Sequence, residues 1–232
     1  MDLSYFLKFG PIWYAMFLLS ILFHKFTHAF ISAKLGDTTS LKDGLKTINP
    51  VPHIKRNIIG LLIFPIIFFI QFGFVLGWAD TPFNSAWGKK NPKHLALMML
   101  SGPLANLVML IIFFFLISIF IKEGILIESK IISFSLFAFS LKSLFLSEFL
   151  CIGFSINLIL FLLNILPLPS LDGSAIILFF TKKEKAVFLI DKFFNKKYGI
   201  LSGIVAGILF ILFITPIHES VVKFIFYIAS SI

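Results

Sequence analysis

Apolar runs of membrane-spanning length set the terms for this chain: residues 11–33, 58–77, 95–121, 144–166 and 200–214, with a shorter last run at 221–232. Lipid has no water to satisfy open backbone N–H and C=O groups, so runs of this kind fold as α-helices that close their hydrogen bonds internally. The expected fold is all-α, a polytopic transmembrane helical bundle with about six spanning helices. A composition that is 59% hydrophobic and 13% charged leaves no room for a soluble domain.

The formal charge of +9 would point to nucleic acid in a soluble protein. Here the lysines cluster in short connections between apolar runs, as membrane-anchoring flanks do, and imply no nucleic-acid partner. Lysines flank both ends of most runs, so they do not fix an orientation. All 20 basic residues but Arg56 are lysine, a bias of AT-rich genomes, and the expected location is a bacterial inner (cytoplasmic) membrane, with the chain crossing it several times. Cys151, the single cysteine, excludes a disulfide framework and reads as a small core residue. Residues 1–8 lack the pattern of a removable signal peptide, so the first run is expected to stay in the mature protein. The connections 34–57, 78–93 and 181–198 are short and polar, and 131–139 is too short to span, suiting an interfacial or re-entrant piece.

Two places break the helical pattern within apolar surroundings. Ser101-Gly102-Pro103 is expected to interrupt or bend the third run. The stretch from Asn164 to Gly173 carries Pro167 and Pro169, which forbid a regular helix. Irregular backbone at membrane depth persists only where it is buried in protein or lines a cavity, so this stretch should face something polar.

His24 and His28 are four residues apart in the first run. On a helix they project from one face and can offer two imidazole nitrogens to one ion. A catalytic zinc takes three protein ligands and keeps one position open. Asp172, a carboxylate in apolar surroundings, is the candidate third ligand. At about 1.5 Å per residue, His28 and His24 lie roughly 9 and 15 Å from Lys34, and Asp172 about 15 Å from Lys182 if the intervening chain is helical. The three meet at one level if the Lys34 and Lys182 ends share a membrane face. One Zn2+ ion held by His24, His28 and Asp172 is the expected cofactor, in a single integral membrane domain, 1–232, with a metal-site core at about 11–180 and C-terminal helices at about 199–232.

These residues resemble the site-2 protease family of intramembrane zinc metalloproteases. The resemblance rests on His24-x-x-x-His28, then Gly77-Trp78-Ala79, Asn91-Pro92 and Gly102-Pro103-Leu104-Ala105-Asn106. It ends with Asn164-x-x-Pro167-x-Pro169-x-Leu171-Asp172-Gly173. It implies a six-helix core with zinc on two histidines and the aspartate of Leu-Asp-Gly, and hydrolysis of peptide bonds in transmembrane segments of single-pass membrane proteins. The spacing between Asn106 and Asn164 leaves no room for an inserted PDZ domain, so this is a minimal form.

The family pattern is His-Glu-x-x-His, its glutamate serving as general base toward water and passing the proton to the leaving amine. Lys25 stands in that position, and an ammonium accepts no proton. Three readings stay open: a pseudoprotease scaffold, an inactivated variant, since one base change turns a Glu codon into a Lys codon, and an unusual enzyme using a neutral amine. By the resemblance Asn164 contacts substrate or the developing oxyanion; equally, it satisfies backbone groups before the Pro-x-Pro bend. Asn106 suits a helix–helix hydrogen bond. His53 lies where relatives carry a histidine near the site entrance, but Lys55-Arg56 replaces the usual Asp-Pro, which suits a plain interfacial histidine. A small transporter or binding protein is the alternative from another class, since broken helices meeting near the midplane also build carrier sites.

Overall fold

The computed structural model describes residues 3–123, 127–128, 139–140 and 144–193, with the single positions 205 and 227. The runs 200–214 and 221–232 otherwise lie outside the described residues, as does 131–138. Regular structure among the described residues is helical, apart from a two-residue antiparallel ladder of β1 (Ile127–Glu128) with β2 (Phe139–Ser140). The molecule is an all-α, membrane-type helical bundle. Three helices are long and apolar enough to cross a membrane: α1 (Leu3–Lys34), α6 (Pro92–Lys122) and α7 (Leu144–Ile165).

These three pack on one another and set the frame for the site. On α1, Trp13, Phe17, Ser20, His24, His28 and Ser32 recur at three- and four-residue spacing and are buried, so one face turns inward. On α6 the opposite holds for Leu97, Leu104, Val108, Ile111, Phe115 and Ile119. They form an exposed apolar stripe, as lipid on the outside allows. α6 is not interrupted at Ser101-Gly102-Pro103; it runs through Pro103, whose missing N–H removes a single internal hydrogen bond.

The second apolar run departs from the expectation of a spanning helix. After α2 (Thr39–Lys42) and α3 (Pro50–Arg56), a π-helical turn at Ile59–Ile63 leads into α4 (Phe64–Phe72), which stops at Gly73 in the left-handed conformation (φ 78°). The chain then doubles back. The Trp78 N–H donates to the Gly60 carbonyl (3.1 Å), and the Asp80 N–H to Asn57 Oδ1 (3.2 Å). The run therefore leaves the bundle at the end where it enters. Its helical leg, 59–72, is shorter than the roughly 20 residues a span requires.

The connection 78–93 carries α5 (Ser85–Lys90), N-capped by Asn84, whose side chain accepts from Ala86 N and Trp87 N. α5 joins the two ends that the depth argument needed on one face. Trp87 Nε1 donates to the Leu35 carbonyl just past α1, and Lys89 pairs with Asp191 (2.7 Å) of α9 (Lys183–Phe193). A small core of Leu95, Met98, Ala175, Leu178, Ala186 and Ile190 seals this end. α7 stops at Ile165, ahead of Pro167 and Pro169. The chain turns through Ser170 (φ 66°) into a 3-10 helix at Asp172–Ile176, continued by α8 (Ile177–Phe180).

Candidate metal centre

His24 and His28 leave α1 one turn apart, and Asp172 is the first residue of the 3-10 helix, whose N-cap, Leu171, makes no side-chain capping bond. The carboxylate is turned to the histidines instead. Asp172 Oδ2 is 2.9 Å from His24 Nε2 and 3.3 Å from His28 Nε2, and the two Nε2 atoms are 2.9 Å apart. All three residues are buried. The trio expected from spacing and depth thus converges.

The far sides of both rings determine which nitrogen carries the proton. His28 Nδ1 lies 2.7 Å from the Met98 carbonyl, which only accepts, so Nδ1 carries the hydrogen and Nε2 a lone pair. For His24 the same result comes through a relay. Asn157 Nδ2 donates to the Gly153 carbonyl (2.8 Å) and to Ser20 Oγ (3.0 Å), which turns Asn157 Oδ1 toward Asn106 Nδ2 (3.0 Å). Asn106 therefore presents Oδ1 to His24 Nδ1, which donates. A backbone carbonyl in α7 fixes the tautomer of a histidine in α1.

The outcome is three electron-pair donors, two imidazole nitrogens and a carboxylate oxygen, facing each other with no neutral-state proton to share. A cation held among them relieves that arrangement, as does a proton shared between an imidazole and the carboxylate. Zinc bonded at about 2.0–2.1 Å in a tetrahedron needs ligand atoms about 3.3 Å apart, close to the spacings here, and histidine ligands held through Nδ1–H are the usual supporting arrangement. The floor of the site is Gly102: a Cβ there would collide with Nε2 of both rings. The residues present fit a zinc ion.

Lys25 is half-buried beside His24. It makes no hydrogen bond or ion pair among the described residues. Asn164 Nδ2 donates to the Leu160 carbonyl (2.9 Å), one turn earlier on α7. Asn106 does link helices, and one of its bonds orients a histidine. His53 is buried, 1% exposed, and its Nε2 donates to the Thr47 carbonyl (2.9 Å). Ser20 and Asn157 were not singled out from the sequence. Their signals were available: Ser20, His24, His28 and Ser32 form a four-residue repeat of polar side chains in an apolar run, and Asn157 is an amide in another.

No family model and no solved structure matches the chain. A Bacillus subtilis (strain 168) protein described as "Putative zinc metalloprotease YwhC" is 35% identical over 176 residues, which cover 75% of this chain and 71% of that protein. By that extent of identity the chain, a membrane protein by its helices, belongs to the zinc metalloprotease family that YwhC represents.

Proposed function

We propose that this chain has the build of a site-2-type intramembrane metalloprotease, with one zinc ion on His24, His28 and Asp172 and hydrolysis impaired by Lys25. The observation that carries this reading is the convergence of three electron-pair donors on one buried point between α1, α6 and the end of α7. When bound, zinc supplies Lewis acidity, polarising a peptide carbonyl and making water a better nucleophile at neutral pH. The protein's own groups do the rest. Asn106 and the Met98 carbonyl hold the rings in register, and the packed helices keep bulk water from the polar atoms.

The missing part is the proton acceptor. A general base contributes roughly 10²–10⁴ in rate, and the Lys25 ammonium cannot serve. The chain acts as a pseudoprotease that engages transmembrane segments of single-pass membrane proteins, from a multi-pass position in the bacterial cytoplasmic membrane. The test is Lys25→Glu in proteoliposomes with a model single-pass substrate. Cleavage by the glutamate form at roughly a hundredfold or more over the natural chain is expected. A zinc-loaded glutamate form that cuts nothing would sink the protease reading.

A further inference from the structure

Far from the metal centre, a pocket of about 190 Å³ lies between the Lys8 end of α1 and the re-entrant α4. Leu7, Gly10 and Pro11 line it from α1, and Pro65, Ile66 and Phe69 from α4. The sequence leaves this room. Gly10 has no side chain and lies against the Phe69 ring, which a Cβ there would meet at 3.2 Å, while Pro11 and Pro65 fold their side chains back onto their own backbone. Tyr14 is the one polar side chain in the wall, and its hydroxyl donates to the Leu61 carbonyl (2.9 Å). Cavities of about 150 Å³ with such apolar walls stay dry and take up apolar guests. Water does not suit this pocket; hydrocarbon does.

The rim shows where the guest comes from. Leu7 is 65% and Ile66 41% exposed, and Ile67, Ile70 and Phe72 of α4 are exposed beside them, so the pocket opens on the outer surface of a membrane-type bundle. Lys8 flanks the same stripe of α1. It is exposed, its ammonium 5.2 Å from the Phe9 ring, and it makes no hydrogen bond or ion pair among the described residues. Lys8 precedes Tyr14 by six residues, about 9 Å along a helix axis, so the wall descends from the charge into the apolar layer. An occupant that satisfies both features joins an anion at the membrane surface to an apolar chain below it. We propose that this pocket is a phospholipid site: one acyl chain lies between α1 and α4, and the Lys8 ammonium holds the phosphate. A neighbouring protein helix would fill the apolar part and leave Lys8 without a counter-charge. The site stands apart from His24, His28 and Asp172 and does not depend on the zinc reading.

The test uses the full chain in phosphatidylglycerol nanodiscs doped with a phosphatidylglycerol that carries a diazirine on one acyl chain. After irradiation, adducts are mapped by peptide mass spectrometry, with the exposed α6 stripe of Leu104, Val108 and Ile111 as the measure of bulk lipid. Adducts should concentrate on Leu7, Ile66 and Phe69 well above the stripe. Ile66→Trp, which closes the mouth from an exposed position, should bring them down to the level of the stripe. Lys8→Gln, an exposed change that leaves the fold alone, should lower them about fivefold, the worth of one lysine beside an anionic lipid surface. Pocket adducts no denser than those of the stripe overturn the proposal; that is the outcome if another segment of this chain or a second copy fills the space. Dense adducts that Lys8→Gln leaves unchanged, or that a diazirine fatty alcohol without a phosphate reproduces in full, overturn the phosphate contact and with it the phospholipid assignment.

Discussion

His24 and His28 hold their Nε2 atoms 2.9 Å apart with both ring protons on the opposite side, one pledged to Asn106 and the other to the Met98 carbonyl. Two lone pairs at that distance, with Asp172 Oδ2 beside them, repel unless a proton or a metal ion is held between them. With zinc on the three, the ion should bind the folded chain and not the unfolded one. At free zinc a hundredfold above its dissociation constant, folding gains about 2.7 kcal/mol. Thermal denaturation with and without zinc, beside metal analysis of the purified chain, reads this. His28→Ala should abolish both the bound zinc and the zinc-dependent shift; a shift that survives it places the ion elsewhere.

Asn106 contacts no ion, yet it decides how His24 presents Nε2. Replacing such an orienting partner typically weakens metal affinity by about 10–100-fold. Asn106→Leu should fall in that range. Asn157→Leu should weaken zinc less, because Asn106 keeps its weaker tie to the Ser20 carbonyl (3.4 Å). An interhelical hydrogen bond in a membrane contributes only about 0.6–1.7 kcal/mol, so both variants should stay folded. Chelator competition on the two variants decides it, and full affinity in Asn106→Leu would remove the relay from the account.

How far this site was legible beforehand varies residue by residue. His24, His28 and Asp172 could be paired because helical rise converts spacing into depth, and depth is common to every helix in a bilayer. Asn106 could be seen as a helix–helix donor but not as a partner of His24, since that depends on the register of α1 against α6, which composition does not encode. Run 58–77 looked like a span because hydropathy cannot tell a helix that crosses from one that turns back. The difference lies in Gly73, whose left-handed backbone ends α4 early. The burial of His53 could not be read from the exposed Lys55 and Arg56 that follow it, because its ring turns inward to Thr47 while their side chains stay exposed.

Gly102 reverses an ordinary rule. At an exposed interior position of a helix, glycine to alanine stabilises by about 1 kcal/mol. Here the added Cβ would meet both imidazoles, and overpacking of a tight core costs about 1–3 kcal/mol. Gly102→Ala should lower thermal stability and prevent zinc binding together. Denaturation and metal analysis of the purified variant check it, and an unchanged zinc content would show that the rings have room to retreat.

Lys25 should depress zinc affinity. A dication, one carboxylate and one ammonium leave a buried site doubly positive, whereas a glutamate in place of the lysine would leave it neutral. A unit-charge pair at 4 Å is worth about 4 kcal/mol at an effective dielectric of 20, and the flexible lysine stem relieves part of that. Lys25→Gln should bind zinc roughly 10–100-fold more tightly than the natural chain, and Lys25→Glu more tightly still. Equal affinity in all three, read by chelator competition, would mean that the ammonium is already clear of the site.

The fold also sorts charges that looked evenly spread along the chain. The bonds from α5 to Leu35 and to α9 gather Lys34, Lys42, Lys46, Lys55, Arg56, Lys89, Lys90, Lys93, Lys182 and Lys183 at one end of the bundle. Among the described residues, Lys8 of α1 and Lys122 of α6, the latter followed by Glu123, stand at the opposite end; α1 and α6 run antiparallel, as the pairs His28–Met98 and His24–Asn106 require. Short lysine-rich segments beside membrane helices stay on the cytoplasmic side. The re-entrant run matters to the count, because as a span it would have put Lys55 and Lys89 on opposite faces. Position 90 should therefore face the cytoplasm and position 122 the outside. Single cysteines at Lys90 and Lys122, in a Cys151→Ser background, report this through a membrane-impermeant maleimide. Labelling of 122 in intact spheroplasts, and of 90 only after lysis, is expected. The reverse pattern would mean that the basic end faces outward.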